Sequence, residues 1–246
     1  MAASEHHEFP DYADLMKRLE ALRPQVNADY DKLTTEIPDC RWRDARLAAI
    51  GRLGMLLDDV HLAFTFISLD LLPLDNSWWD TVHKKPFANF NDYHRSVTVN
   101  NFNGFVKVGF LQSLFATFEN HVRIFLRVVD PTAGNDATST FDSIYGALRK
   151  RLSPFPPETD ELVKLMRLTR NTIHNNGVFY PTSRADDQVV YKGVTYEFHY
   201  GKPVNFVRWE WLFDRFEDIW KLLSHLVRDP LIMGITDVVE DPFGAK

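Results

Sequence analysis

One cysteine, Cys40, stands in a chain of 246 residues. That scarcity excludes an internal disulfide and any cysteine-rich zinc site, and a lone thiol fits a reducing cytosol, so the cytoplasm is the expected compartment. Positive charge is short as well, with 28 Lys and Arg against 34 Asp and Glu for a formal net charge of −6. A broad, sequence-independent nucleic-acid binder needs a basic surface to displace counterions, which leaves room here only for local basic patches. Long apolar runs are missing too. The most apolar stretch, 55–74, is broken by Asp58, Asp59, His61 and Asp70, charges that are costly in lipid, so a buried helix is expected there and no membrane association. Residues 1–11 lack the basic start and apolar core of a secretory signal. There is also no nucleophile elbow, phosphate-cradling glycine loop or dinucleotide fingerprint, and no cofactor is expected.

What the chain does have is helical periodicity. Leu15, Leu19 and Leu22 share a face before Pro24 interrupts them, which predicts two N-terminal helical pieces over 12–26 and 28–37. Leu47, Ile50, Leu53, Leu57, Val60 and Phe64 sustain a long helix over 43–72, stopped by Pro73. The stretch 75–103 mixes Trp78, Trp79, Phe87, Phe90 and Tyr93 with polar groups and keeps no steady period, so it reads as a packed connection. A second long helix is expected over 105–129, a short one over 141–152, and a third from about 157 to 175. The alternation over 188–200, pivoting on Lys192-Gly193, predicts a β-hairpin. Trp209, Leu212, Phe213, Phe216, Ile219 and Leu223 restore a helical face over 206–227, closed by Asp229-Pro230. The expected fold class is all-α: a single helical-bundle domain with a small β-hairpin inserted before the last long helix. Residues 1–40 form an N-terminal helical extension, 43–227 the bundle, and 231–246 a C-terminal tail.

The segment 167–177, Arg-Leu-Thr-Arg-Asn-Thr-Ile-His-Asn-Asn-Gly, carries the chemistry. At about 100° per residue, with Arg167 at zero, Arg170 falls near −60°, His174 near −20° and Asn171 near +40°. Those four side chains share one face, while Leu162, Leu165, Met166 and Ile173 supply an apolar stripe and Gly177 a left-handed stop. Arginine forks onto phosphate oxygens and histidine titrates near neutrality, a combination suited to phosphate chemistry without metal. The plainer account is that both arginines pair with neighbouring acids and that Asn175-Asn176-Gly177 only caps the helix.

This segment resembles the motif of the HEPN superfamily, α-helical bundles marked by an arginine, four to six intervening residues and a histidine, often with asparagine directly after the arginine. Arg167 and His174 have six residues between them. Arg170-Asn171 with His174 has three, one short of the strict spacing. The resemblance implies a homodimer whose motif helices face each other and form a metal-independent endoribonuclease site. In that site His174 acts as acid or base on the ribose 2′-hydroxyl, Arg170 or Arg167 stabilises charge on the scissile phosphate, and Asn171 positions. It also implies toxin or phage-defence roles, with RNA as substrate and an antitoxin or other protein as partner. The alternative within the family is a non-catalytic module that binds protein or nucleic acid.

Arg149-Lys150-Arg151 precedes the motif helix and is the candidate for holding an RNA backbone, against the commoner solvated charge run. Glu119, Arg123 and Arg127 recur every four residues, as a second wall of the site or as a salt-bridge stripe. Asp58, His61, Glu119 and His121 lack the matched pairing of a metal site, so no metal is expected and the histidines read as buried, hydrogen-bonded groups. Trp78-Trp79 and Trp209 with Trp211 could stack bases, although core packing explains Trp209 better.

Overall fold

Phe64, Phe110, Trp209 and Phe213 meet edge to face or tilted, with ring centroids 4.7 to 6.3 Å apart. They mark the place where three helices cross. The computed structural model describes residues 9–37, 43–73, 79, 81, 91–133 and 140–242, so Cys40, Trp78 and His83 lie outside the described residues. The order is α1 (Tyr12–Glu36), α2 (Ala45–Phe66), a π-helical turn (Ile67–Leu71), α3 (Asp92–Val129), α4 (Phe141–Arg149), α5 (Thr159–Ile173), β1 (Asp187–Tyr191), β2 (Val194–Phe198), α6 (Trp209–Val227) and α7 (Pro230–Met233). The all-α bundle with a hairpin is therefore the fold. α2 packs on α1, α3 and α6, while α4 and α5 lie against α3, and α5 also meets β1. No described helix is long and apolar enough to cross a membrane.

Three local expectations change. The N-terminal pieces are one helix with Pro24 inside it. Loss of one backbone donor and a steric clash cost about 3 kcal/mol, but Leu15, Leu19, Leu22, Val26 and Leu33 stay on one buried side through the proline. Burial of five such side chains, each contributing roughly 1.5–3 kcal/mol, outweighs that cost. Arg23 beside the proline also forks onto both carboxylate oxygens of Asp58 at 2.6 Å, clamping α1 to α2.

α3 starts thirteen residues before 105, where a connection was expected. Asn91 caps it by accepting from the His94 amide at 3.2 Å, and Val99 and Asn103 are its buried contacts among polar neighbours. Asn103 accepts from Trp209 Nε1 at 2.8 Å. Tertiary packing, rather than a steady apolar period, holds this part of the helix. At the end of α2 the chain widens into a π turn, with the Leu72 amide donating to the Ile67 carbonyl at 2.9 Å. Trp79 Nε1 donates to the Leu71 carbonyl at 3.1 Å and Arg95 to that of Leu72 at 2.6 Å, so the orphan carbonyls of the helix end find partners.

The described part of the C-terminal segment is pinned to the start of α2. Asp44 accepts from the Arg46 amide and from its Nε, both at 2.9 Å, and Arg46 Nη2 reaches Asp44 Oδ2 at 2.6 Å. The same guanidinium donates to the Ile235 carbonyl at 2.9 Å and to those of Ile232 and Asp237 at 3.3 Å. Both residues are buried. Replacing Arg46 with alanine leaves Asp44 an uncompensated buried charge, and we expect a loss of about 3–5 kcal/mol in urea unfolding. A loss below about 1 kcal/mol would show that the pair is not what anchors the segment.

His121 on α3 is fully buried, with Nδ1 donating to the Thr117 carbonyl at 2.6 Å and Nε2 unpaired. Burial pushes its pKa down to about 4; the Thr117 hydrogen bond and Asp241 oppose this, and Arg52 adds to it. The unfolded chain, with histidine near 6.5, binds a proton that the folded chain refuses between those values. The stability is fully present above about pH 6.5 and is lost as pH falls toward 4. By pH 5 about 2 kcal/mol of it has been lost. His121→Leu should flatten this part of the stability profile between pH 7 and 5, measured against wild type by urea titration; an unchanged slope would defeat the assignment.

Candidate functional site on helix α5

α5 begins after the prolines of 154–157, with Glu158 in the left-handed region at φ 60° and Asp160 and Glu161 in the first turn, where the helix dipole favours acids. Leu162, Val163, Leu165, Met166, Leu168, Thr169 and Thr172 are buried, which fixes how the helix rolls against α3. The exposed or half-exposed remainder includes Arg167, Arg170, Asn171 and His174. Asn176 and Gly177 follow with φ of +54° and +83°, and the amides of Asn175 and Gly177 both donate to the Thr172 carbonyl at 2.9 Å. This left-handed exit stops the helix as the glycine predicted. α5 itself ends at Ile173, so His174 sits at its C-cap, still in helical φ/ψ.

The four ridge residues do not share one environment. Arg170 and His174 line a single depression of about 290 Å³ together with Gln112, Phe115 and Ala116 of α3. The Arg170 guanidinium stands 5.7 Å from the centroid of the Phe115 ring, and its Nη1 is 3.5 Å from Asn171 Oδ1. Phe115 is buried and packs on Phe141 of α4 at 5.2 Å between centroids, so the arginine rests on a buried, packed floor. Arg167, one turn back, is instead drawn to Asp142 of α4, Nε to Oδ1 at 2.9 Å. The exposed His174 ring makes no hydrogen bond to a described residue.

The basic run 149–151 is largely engaged within the molecule. Arg149 pairs with Asp160 at 2.5 Å, which also accepts from the Tyr145 hydroxyl at 2.8 Å. Arg151 pairs with Asp130 and donates to the Ala147 carbonyl at 2.8 Å. Lys150 alone of the three is exposed without such a partner among the described residues. On α3, Arg123 is held by Glu119 at 2.6 Å, and neither side chain lines the Arg170/His174 depression. Of Glu119, Arg123 and Arg127, the first two thus form a salt bridge.

Asp58 is clamped by Arg23, His61 Nε2 lies 3.9 Å from Glu20, and His121 is buried elsewhere on α3. No cluster of three or more His, Cys, Asp or Glu side chains among the described residues is placed to hold a metal ion. Trp209 and Trp211 are buried, so neither offers a face for base stacking, and Trp79 is buried as well.

Two features escaped the reading of the sequence. Phe115 shows there only as one more apolar α3 position, with nothing to mark it as the floor of the depression. Arg215 shows as a charge within an apolar helix face, and it proves to be a buried clasp for the hairpin. It pairs with Asp218 at 2.9 Å, donates to the Tyr196 hydroxyl at 3.1 Å and lies over Tyr191 at 4.8 Å. Lys192 at the hairpin turn joins the same Asp218 at 2.6 Å, and Lys164 ties α5 to Asp187 of β1 at 2.8 Å. The arginine at position 215, set among apolar neighbours in its helix, was the available signal. Compared with protein-family models, curated proteins and solved structures, the chain gives no match.

Proposed function

We propose that the protein is a HEPN-like, metal-independent endoribonuclease whose working group is Arg170, Asn171 and His174. One observation carries the reading: Arg170 and His174 border the same open depression, whereas Arg167 is held by Asp142. The His174 imidazole can take the proton of a ribose 2′-hydroxyl while the 2′-oxygen attacks phosphorus and the 5′-oxygen leaves. The Arg170 fork stabilises the charge that accumulates on the phosphoryl oxygens, and Asn171 beside it orients the guanidinium or the phosphate. A second copy presenting the same ridge gives the shared dimeric site that the resemblance implies, and a toxin or defence role belongs to the same reading.

Exposure of Phe105, at 73%, and Val108 on α3 supports a second reading, a non-catalytic module that captures a partner protein. In that case wild-type protein is inert on a mixed RNA pool and still dimerises or captures its partner.

His174→Ala should lose cleavage of a mixed RNA pool by roughly a hundredfold or more, with unfolding curves unchanged and with activity indifferent to chelators. Arg170→Lys should fall almost as far, because an ammonium cannot reproduce the fork. Arg167→Ala should keep most of the activity. Equal cleavage by wild type and His174→Ala sinks the nuclease reading; loss only with Arg167→Ala moves the arginine's role one turn back.

A further inference from the structure

A second depression, of about 360 Å³, lies beside the Arg170/His174 site along the seam between α3 and α5. Val108, Leu111, Ile173, Val204 and Val207 give it apolar walls. Its threonines contribute little polarity, since the Thr169 hydroxyl donates to the Leu165 carbonyl at 2.8 Å and the Thr172 hydroxyl to that of Thr169 at 2.7 Å. Backbone groups at the rim are spent as well. The Thr172 carbonyl accepts from Asn175 and Gly177, and the Gly177 carbonyl accepts from the Val204 amide, all at 2.9 Å.

One charged group remains inside this apolar frame, the ammonium of Lys107. It makes no hydrogen bond or ion pair to a described residue, and its Nζ stands 5.9 Å from the centroid of the buried Trp209 ring. Burial holds the amine below the usual lysine range, with Glu210 pulling it up and Arg208 pushing it down. A cation half withdrawn from water without an acceptor is costly, and an anion arriving from outside reverses that cost. The rest of the ligand must cover aliphatic walls with almost nothing to donate or accept. A phosphate or a nucleic-acid strand would satisfy the ammonium and leave those walls wet, whereas one charged end on an apolar body satisfies both.

We propose that this groove binds a small monocarboxylate with an apolar body, its carboxylate on Lys107 Nζ and its body against Val108, Ile173 and Val207. The exposed Asn176 amide, at the left-handed turn that closes α5, lines the same groove and is a second polar group for the carboxylate. Thr169 and Ile173 directly precede Arg170 and His174 in sequence, so an occupant braces the turn of α5 that carries the ridge.

Calorimetric titration of the full chain with octanoate, octanol and octylamine, in the absence of RNA, tests the site independently of any nuclease activity. Octanoate should bind wild type more tightly than either uncharged octanol or cationic octylamine. Lys107→Met keeps the apolar stem and should weaken octanoate at least tenfold while leaving octanol unchanged. Val207→Trp should fill the groove and abolish both, with cooperative unfolding retained as the check on folding. Equal octanoate affinity in wild type and Lys107→Met overturns the proposal, as does an absence of binding to wild type. A dimer that Val108→Asp dissolves and octanoate leaves intact also overturns it, because the groove is then covered by a second copy.

Discussion

The apolar stripe of α3 is the constraint around which the molecule is arranged. Phe110, Leu111, Leu114, Phe115, Phe118, Val122 and Phe125 are all buried, and no single helix can cover them. α2, α4, α5 and α6 all pack against α3, so these four helices take their positions from what it needs covered. α5 can meet that need only with its leucine, methionine and threonine side down. Its arginines, asparagine and histidine are then left facing outward or into the seam, and both depressions lie along that seam.

Charge decides which exposed cations remain available. The chain is acidic, and its carboxylates sit where they neutralise arginines before a ligand can: Asp142 on Arg167, Asp160 on Arg149, Asp130 on Arg151 and Glu119 on Arg123. These pairs are half exposed, so each contributes little to stability. Their effect is selective. Arg170, stacked on Phe115, and Lys107, set over Trp209, are cations supported by rings rather than acids, and each lines one of the two depressions. A ring holds a cation in place without cancelling its charge.

The hairpin illustrates the same economy of charge in a buried setting. Asp218 receives both Arg215 and Lys192, and Arg215 in turn lies on Tyr191 and hydrogen-bonds Tyr196. One carboxylate thereby fixes the strand pair to α6, while Lys164 fixes it to α5. The hairpin connects to the end of the motif helix through Val204 and Gly177, so its placement bears on the groove beside the ridge.

Periodicity by itself determined the fold class, the long helices α2 and α6, the hairpin pivot at Lys192-Gly193 and the polar ridge ending at Gly177, because each follows from spacing along one element. Interruption of that spacing misled it at Pro24 and before Phe105, where buried contacts with distant helices hold a helix that local preference does not. The tertiary structure alone distinguished the surroundings of the two arginines, since Arg167 and Arg170 differ in sequence only by register and in space by the acid or the ring they meet. It alone turned Lys107 into a half-buried cation with no ion pair among the described residues, and Arg149 and Arg151 into paired ones. A partner's identity depends on chain segments that sequence spacing does not bring together, and here those segments are α4 for Arg167, α3 for Arg170 and α6 for Lys107.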